Sequence, residues 1–518
     1  MRRSSEPEIV QNYQTDESNT FFARDIEAVV FPENTEDVVQ VLREANAIGT
    51  PVTISAGGTG LTGARVASCG GLIMTVELMR DAPSREGFEP LSASHQGIEY
   101  TLMVDRPGER AWCPPAVTLD AMEALLAPDL LFPPAPTERS AMLSGAVAAN
   151  ASGARSFMHG ATRAWVEGLE VVLPTGETLT VERGEVRADG RVLSFTSDDG
   201  VEHRVELPSY EMPDTKNAAG LYAGDGMDLI DLFIGCEGII GVVTGVLVRL
   251  TSRPMLFSDT AFFDSEEAAL AHAERLRKAF DDGLPILSIE FYDERSLRFI
   301  DEHPQVRPDH KAAIFTELDG DDEDCVMALA EIIEESCPID DWFADTDRER
   351  EEQRDFRHIL PEKVNVFLRE HGTDKRCTDY AVPPEKLDEM MEAHHRAAEA
   401  FIEVTGRPER SVVLFGHIGD YHLHADFLPA NEVEEDASME QYIFLARSAI
   451  ELGGTITAEH GVGKKTLPID GREVPYLELM YGPEGLEEIA RAKLALDPNA
   501  ILNLGNMIPV QLLERCRE

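Results

Sequence analysis

The chain has 518 residues, with 96 acidic against 46 basic side chains, a formal charge of −50 and a pI near 4.5. That balance excludes a nucleic-acid binder working through a basic surface. With 43% hydrophobic and 27% charged residues the composition is that of a globular protein, and only nine of its basic residues are lysine. So acidic a surface repels itself at low salt and matches a protein adapted to a salt-rich cytoplasm. No apolar run approaches the roughly 18 residues of a membrane span. Met1-Arg2-Arg3 is followed by Ser4-Ser5-Glu6-Pro7-Glu8 where a signal peptide needs an apolar stretch, so a cytoplasmic protein is expected. The seven cysteines form no C-x-x-C pair, which argues against a disulfide framework or an iron–sulfur cluster.

Residues 26–52 read as strand, helix, strand: Ala28-Val29-Val30-Phe31 stops at Pro32, Thr35 and Asp37 suit a helix start, and Val38, Val39, Val41 and Leu42 supply an apolar stripe. The second strand runs into Ser55-Ala56-Gly57-Gly58-Thr59-Gly60-Leu61-Thr62-Gly63, four glycines and two threonines in nine residues. Small residues cluster again over 144–153, and a third glycine-rich segment over 234–245 closes one α+β unit. The stretch 181–226 is polar and turn-rich and reads in part as a surface excursion. Beyond Pro254, amphipathic patterning predicts helices over 266–280, 326–335 and 385–404, with a strand over 286–291. The acidic stretch 317–324 reads as a solvated loop, the charged run 345–354 as a helix face, and 379–383 as a strand.

Glycines let backbone N–H groups approach an anion, and threonine hydroxyls add donors, so the first loop suits a diphosphate; a tight strand connection is the plainer alternative. Three such segments in one unit favour a long ligand such as a dinucleotide. Gly416-His417-Ile418-Gly419-Asp420-Tyr421-His422-Leu423-His424 carries three histidines, and Glu459-His460-Gly461-Val462-Gly463 follows 35 positions after His424. Imidazoles and a carboxylate form a common ligand set for a borderline metal; histidines hydrogen-bonded within a strand pair are the alternative. Strand parity favours the pair His422 and His424, and His417 joins them only if Gly419-Asp420 turns the chain. Asp420 itself reads as a turn residue. Among Arg354, Arg357, Arg369, Lys375 and Arg376, one guanidinium could clamp a carboxylate, without a choice from pattern alone.

Together these motifs resemble the FAD-linked 2-hydroxyacid oxidoreductases of the vanillyl-alcohol-oxidase superfamily, the group of D-lactate dehydrogenases, the glycolate oxidase FAD subunit and D-2-hydroxyglutarate dehydrogenase. SAGGTGLTG is similar to the first diphosphate loop, LSGAVAANASGARSFMHGATRAWVEGLEVVLPTGE to the second FAD segment and LFIGCEGIIGVVT to the third. GHIGDYHLH, GGTITAEHGVG and LDPNAILNLGN are similar to the three signatures of the carboxy-terminal domain. The resemblance implies an α+β fold: a two-part FAD-binding domain over 1–252, with a polar insertion at about 181–226, then an α/β substrate domain with an antiparallel sheet over 253–518, its last segment returning to the flavin.

The resemblance also implies roles. Ser55, Ala56, Gly57, Gly58, Thr59, Gly60, Thr62 and Gly63, with Asn150, Gly153 and Gly160, would line non-covalent FAD; Glu237, Gly238, Gly241 and Val243 would run along it, and Asn503 would lie near the flavin. His417, His424 and Glu459 would bind a divalent ion, usually zinc. His422 stands where the family commonly has asparagine and is placed as a flanking residue. His460 would be the general base and Arg357 the substrate-carboxylate arginine. The implied reaction oxidises a D-2-hydroxyacid such as lactate, glycolate or 2-hydroxyglutarate to the 2-oxoacid by hydride transfer to flavin N5. A quinone, an electron-carrier protein or oxygen would accept the electrons, and a homodimer is an allowed assembly. Three departures stand out. Ser55-Ala56 replace a frequent arginine and glycine, Leu504 and Asn506 replace proline and lysine, and a lysine of the 2-hydroxyglutarate enzymes falls near Cys377, with Lys375 and Arg376 offset from it. Alternatives are an enzyme of the alkyl-dihydroxyacetone-phosphate synthase type on the same fold, or a zinc-dependent hydrolase using the histidines alone.

Overall fold

The computed structural model describes residues 1–517 except 135, 321, 345 and 375. The Lys375 expectation and the first residue of the 345–354 run therefore lie outside the described residues. The amino-terminal part is built on two sheets. In the first, strand Gly71–Thr75 is flanked in parallel by Ile26–Phe31 and Val52–Ser55. Helix Thr35–Ile48 forms the crossover, started by Asn34, whose side chain accepts from the Asp37 N–H, and stopped by Gly49 at φ 73°. The Val38, Val41 and Leu42 side chains are buried against the sheet, as the stripe predicts. The second sheet is antiparallel and runs Thr178–Glu182, Val166–Val172, Val242–Arg249, Arg110–Cys113, Ile98–Asp105, Glu89–His95.

The carboxy-terminal part is a larger antiparallel sheet in the order Asp340–Ala344, Leu256–Phe263, Ala312–Asp319, Ile286–Asp293, Val412–Gly416, His422–Phe427, Arg376–Cys377, with Tyr380–Ala381 also paired to His422–Phe427. Helices Glu266–Asp281, Glu323–Ser336, Leu387–Thr405 and Glu432–Glu451 accompany it, the first capped by Ser265. The acidic stretch 317–324 is not a solvated loop. Glu317 lies within the buried strand Ala312–Asp319 and pairs with Arg155, while Asp322 caps the helix that begins at Glu323. The strand expected over 379–383 shrinks to Tyr380–Ala381, because Pro383 and Pro384 have no N–H for a ladder. Helix Asp347–His371, opened by a Thr346–Glu349 capping box, accounts for most of the charged run.

Residues 181–226 divide in two. The hairpin of Val192–Thr196 and Glu202–Glu206 lies at the periphery, with alternating exposed positions. The residues that follow turn inward: Ala218 N–H donates to the Thr457 carbonyl, Thr455 Oγ1 to Asn217 Oδ1 at 2.7 Å, and Thr215 Oγ1 to the Val382 carbonyl. Near the carboxy terminus the chain comes back to the first sheet. Lys493 is 1% exposed, and its ammonium ties Asp497 to the Ile239 and Leu502 carbonyls. Val52 then donates its N–H to the Ile501 carbonyl and accepts from the Asn503 N–H.

Candidate functional site

Strands Val412–Gly416 and His422–Phe427 form the hairpin that carries the histidines, with Phe415 opposite His424. The connection requires Gly416 at φ 129°, one 3₁₀ turn over Ile418–Asp420 and Tyr421 in the left-handed region at φ 57°. Parity puts His422 and His424 on one face, their ring centroids 4.5 Å apart, and the turn folds His417 back to within 5.3 and 5.6 Å of those rings. Glu459 closes the group, its Oε1 lying 2.9 Å from His417 Nε2, 3.4 Å from His422 Nδ1 and 3.4 Å from His424 Nε2. One ligand atom from each of the four buried residues falls within 4.8 Å of the others. His422, set aside as a flanking residue by the family pattern, is thus a full member of the cluster.

Each imidazole is held from behind. His417 Nδ1 lies 2.7 Å from Glu290 Oε1, His424 Nδ1 2.9 Å from the Thr378 carbonyl, and His422 Nε2 2.9 Å from Asp379 Oδ1. With an acceptor on its outer nitrogen, each imidazole would offer the lone pair of its inner nitrogen to an ion bound beside Glu459, the arrangement that tunes imidazoles as metal ligands. Burial, with His424 and Lys216 nearby, pushes the His422 imidazole down to about 3, so it is neutral at pH 7. Burial also opposes charge on His417 and His424, yet Glu290 and Glu459 raise the first, and Cys377 with Glu459 raises the second well above its usual range. Burial works against the Glu459 carboxylate too, but Lys216 and His417 hold it well below the usual range.

Asp379, 0% exposed, lies where the two histidine motifs meet. Its carboxylate accepts from Thr457 Oγ1 at 2.9 Å and from the His460 N–H at 2.9 Å. Beside it the His460 side chain is 28% exposed, with its ring 5.7 Å from that of His424. On the other side of the cluster stands Lys216, which the polar look of its segment hid. Its side chain is 7% exposed, its ammonium 3.4 Å from Asp420 Oδ2 and 3.8 Å from Glu459 Oε2. Its hydrogen bond to the Gly153 carbonyl is long, 3.4 Å. Asp420 is more than a turn residue: its Oδ2 also takes the Ser156 hydroxyl at 2.5 Å, joining the second glycine segment to the histidine turn. Arg357 reaches the site through a protein carboxylate, with Nη2 3.6 Å from Glu290 Oε2 and its guanidinium over the Phe315 ring.

The glycine segments converge next to this cluster. Ser55 ends its strand buried, Ala56 packs close to Gly145, a Gly58 Cβ would run into the Arg65 guanidinium, and no heavy atom lies within 4 Å of where a Gly60 Cβ would stand. Among the described residues no protein group accepts the N–H of Gly57, Gly58, Thr59, Gly60, Leu61 or Thr62, so the loop offers a run of backbone donors to an anion. The Gly63 N–H, by contrast, goes to Asp16 at 2.6 Å. Asn150 caps helix Leu143–Ala149 at φ 48° and borders a cavity of about 540 Å³ with Arg163, Thr215, Asn217 and Tyr222. Gly160 ends the short helix Ser156–His159.

In the third segment the side chains named above make contacts within the protein. The Glu237 carboxylate accepts from the Val462 and Gly463 N–H groups at 2.6 and 2.7 Å, so it braces the E-H-G loop. Burial lifts this carboxyl to about 7 in spite of those two bonds. A Cβ on Gly241 would stand 2.5 Å from Val171, and Val243 packs in the core opposite Val171, so sheet packing accounts for both. A Gly238 Cβ would meet Asn503 Nδ2 at 2.6 Å, and Asn503 links the Ile54 N–H to the Glu237 carbonyl, both at 2.7 Å. First loop, third segment, E-H-G loop and terminal motif are therefore one bonded unit.

Residues 26–86 and 91–182 match the FAD binding domain family, and 259–507 match the C-terminal domain of FAD linked oxidases. The glycolate oxidase subunit GlcD of Bacillus subtilis is 27% identical over 492 residues, covering 93% of this chain and 88% of the relative. The D-lactate dehydrogenase of Archaeoglobus fulgidus is 28% identical over 93% of this chain and 91% of its own. For the D-2-hydroxyglutarate dehydrogenase of Stutzerimonas stutzeri the values are 26%, 94% and 92%. A solved alkyldihydroxyacetonephosphate synthase shares the fold, with a TM-score of 0.64 at 12% identity over 97% of this chain and 82% of that one. Fold and loops define a two-part flavoprotein. The chain belongs to the FAD-linked 2-hydroxyacid oxidoreductases and is an enzyme of that type. Its FAD-binding half has no use in a hydrolase, which removes the zinc-hydrolase alternative. Among the described residues no helix is long and apolar enough to cross a membrane.

Proposed function

We propose that the enzyme oxidises a small D-2-hydroxyacid to its 2-oxoacid, with a divalent ion, zinc by its donor set, held by His417, His422, His424 and Glu459. The observation that carries this reading is the arrangement of three imidazoles, each held on its outer nitrogen, around one buried carboxylate. Nitrogen and carboxylate donors in a buried group suit zinc better than magnesium or calcium, which prefer oxygen shells. When bound, FAD supplies the two-electron acceptor for the C2 hydride and the metal a Lewis acid for the substrate hydroxyl and carboxylate.

The chain's own residues do the rest. Lys216 and Arg357 bring cationic heads to the two sides of the cluster, which an anionic substrate needs in a protein of formal charge −50. Either can offer a charge-assisted bond to the substrate carboxylate. His460, partly exposed beside the cluster, takes the proton of the 2-hydroxyl at Nε2 while its Nδ1 faces Asp379 at 3.3 Å. The open N–H run over Gly57 to Thr62 holds the FAD diphosphate, and the cavity beside Asn150 gives the rest of the cofactor room. An external acceptor, a quinone, a carrier protein or oxygen, completes the turnover.

The test is anaerobic titration of the FAD-loaded, metal-loaded enzyme with D- and L-isomers of lactate, glycerate, malate and 2-hydroxyglutarate, and with glycolate. Bleaching of flavin absorbance near roughly 450 nm by D-isomers or glycolate, and not by L-isomers, is expected. Flavin that no 2-hydroxyacid reduces overturns the reading.

A further inference from the structure

We infer that Asp379 is a positioning residue that fixes the tautomers of two imidazoles at once, His460 and His422. The inference rests on His460 as the base and on His422 as a metal ligand. Asp379 stands between the short strands Arg376–Cys377 and Tyr380–Ala381, and the chain from Thr457 to His460 wraps around it. Oδ2 takes the Thr457 hydroxyl and the His460 N–H, both oxygens lie 3.3 Å from the Glu459 N–H, and the Asp379 carbonyl takes the Ala458 N–H at 2.8 Å. These bonds fix the carboxylate in place and leave each oxygen facing one imidazole nitrogen: Oδ1 with His422 Nε2 at 2.9 Å, Oδ2 with His460 Nδ1 at 3.3 Å.

An ionised carboxylate only accepts hydrogen bonds, so the facing nitrogens carry the protons. His460 is then the Nδ1–H tautomer, with its Nε2 lone pair free for the substrate proton. His422 is the Nε2–H tautomer, with its Nδ1 lone pair turned to Glu459, 3.4 Å away. One side chain thereby sets a base for proton transfer and a lone pair for the metal. Glutamate, one methylene longer, cannot keep both distances in so enclosed a position, and asparagine presents an N–H₂ to one of the two imidazole N–H groups whichever way it turns.

Asp379→Asn tests this in the FAD- and metal-loaded enzyme, by anaerobic stopped-flow and chelator titration. Through His460, the limiting rate of flavin reduction should fall about 10²- to 10⁴-fold, the range for losing a carboxylate that orients a catalytic histidine, with bound FAD retained. The solvent deuterium isotope effect on that rate should rise, because proton transfer becomes limiting. In a His460→Asn background the same substitution should cost nothing further; a second, multiplicative loss there overturns the tautomer role. Through His422, chelator should remove metal about 10- to 100-fold more readily, and that difference should vanish in a His422→Ala background. Near-wild-type reduction and metal retention in Asp379→Asn overturn the inference outright. Near-wild-type reduction in His460→Asn instead refutes the base and leaves the metal arm to be judged alone. Should Asp379→Asn not accumulate, ¹⁵N-histidine spectra of the wild type, assigned with His460→Asn and His422→Ala, read the tautomers directly. Nδ1–H on His460 and Nε2–H on His422 support the inference, and either reversed tautomer overturns it.

Discussion

The ammonium of Lys216 stands 3.8 Å from the Glu459 carboxylate, brought there by a polar segment whose neighbouring residues bond to Thr455 and Thr457. Lysines are scarce in this chain, nine in 518 residues, and this one has its side chain only 7% exposed among carboxylates. It has one long hydrogen bond, so its donors are available to an arriving anion. Lys216→Met should raise the Kd of the 2-oxoacid product, read from its perturbation of the flavin spectrum, by about 10- to 100-fold, the worth of one charge-assisted bond. Metal and FAD contents should stay at wild-type stoichiometry. An unchanged Kd would make Lys216 a structural counter-ion of Asp420 and Glu459.

His417 and His460 should separate on substitution. His417→Ala removes an imidazole held between Glu290 and Glu459, so metal content by elemental analysis should drop along with activity. His460→Asn should keep metal and flavin and lose about 10²-fold or more in turnover, as removal of a general base does. Full metal occupancy in His417→Ala would disprove the ligand assignment, whatever the activity.

Glu290 joins His417 to Arg357, with one oxygen on each. Glu290→Gln keeps the shape but weakens the acceptor on His417 Nδ1 and leaves Arg357 without its countercharge. Metal affinity should fall about 10- to 100-fold in competition with a chelator. A metal affinity equal to that of the wild type would confine Glu290 to packing.

Asp259 provides a pH test away from the site. It is 1% exposed, and burial, followed by Asp341 nearby, raises its carboxyl to about 8. The folded protein therefore holds a proton that the unfolded chain releases near pH 4. The contribution is fully present below that pH and is lost as pH rises through about 8. Relative to Asp259→Asn, wild-type stability should decline by at most about 1.4 kcal/mol per pH unit across that window. Denaturant unfolding of both proteins at pH 4.5, 6 and 8.5 gives the comparison, and a constant difference would mean that Asp259 is ionised when folded.

What could be read from the chain was what is contiguous in it. The glycine loops, the histidine run and Glu459-His460 each carry their chemistry within a few residues, and amphipathic helices such as Glu266–Asp281 show their period directly. Parity correctly paired His422 with His424, and only the turn at Gly416 and Tyr421 brings in His417. The supporting groups were not legible, because their partners are remote: Glu290 is 127 residues from His417, and Asp379 is 81 from His460. The places of Lys216 and Glu317 were hidden for a related reason. A charged residue in a polar stretch looks solvated until a distant segment buries it, as Arg155 does for Glu317 over 162 residues. In the third glycine segment, Gly241 and Val243 also have a packing role that the sequence did not show, against Val171 across the sheet.

The charge of −50 should make the protein's stability depend on salt. Repulsion among 96 carboxylates acts over the Debye length, about 10 Å at 0.1 M and 3 Å at 1 M, so KCl removes most of it. The internal ion pairs do not share that sensitivity, since Lys493–Asp497 and Arg155–Glu317 are shielded from solvent. Added KCl should therefore raise Tm without weakening these internal pairs. The same salt should slow capture of an anionic substrate less than in a basic enzyme, because here the long-range field repels it and, on the proposed reading, only Lys216, Arg357 and a bound metal would attract it. Thermal scans and flavin-reduction rates from 0.1 to 3 M KCl read both effects together. A Tm that is flat or falls with KCl would show that the acidic surface is not an adaptation to salt.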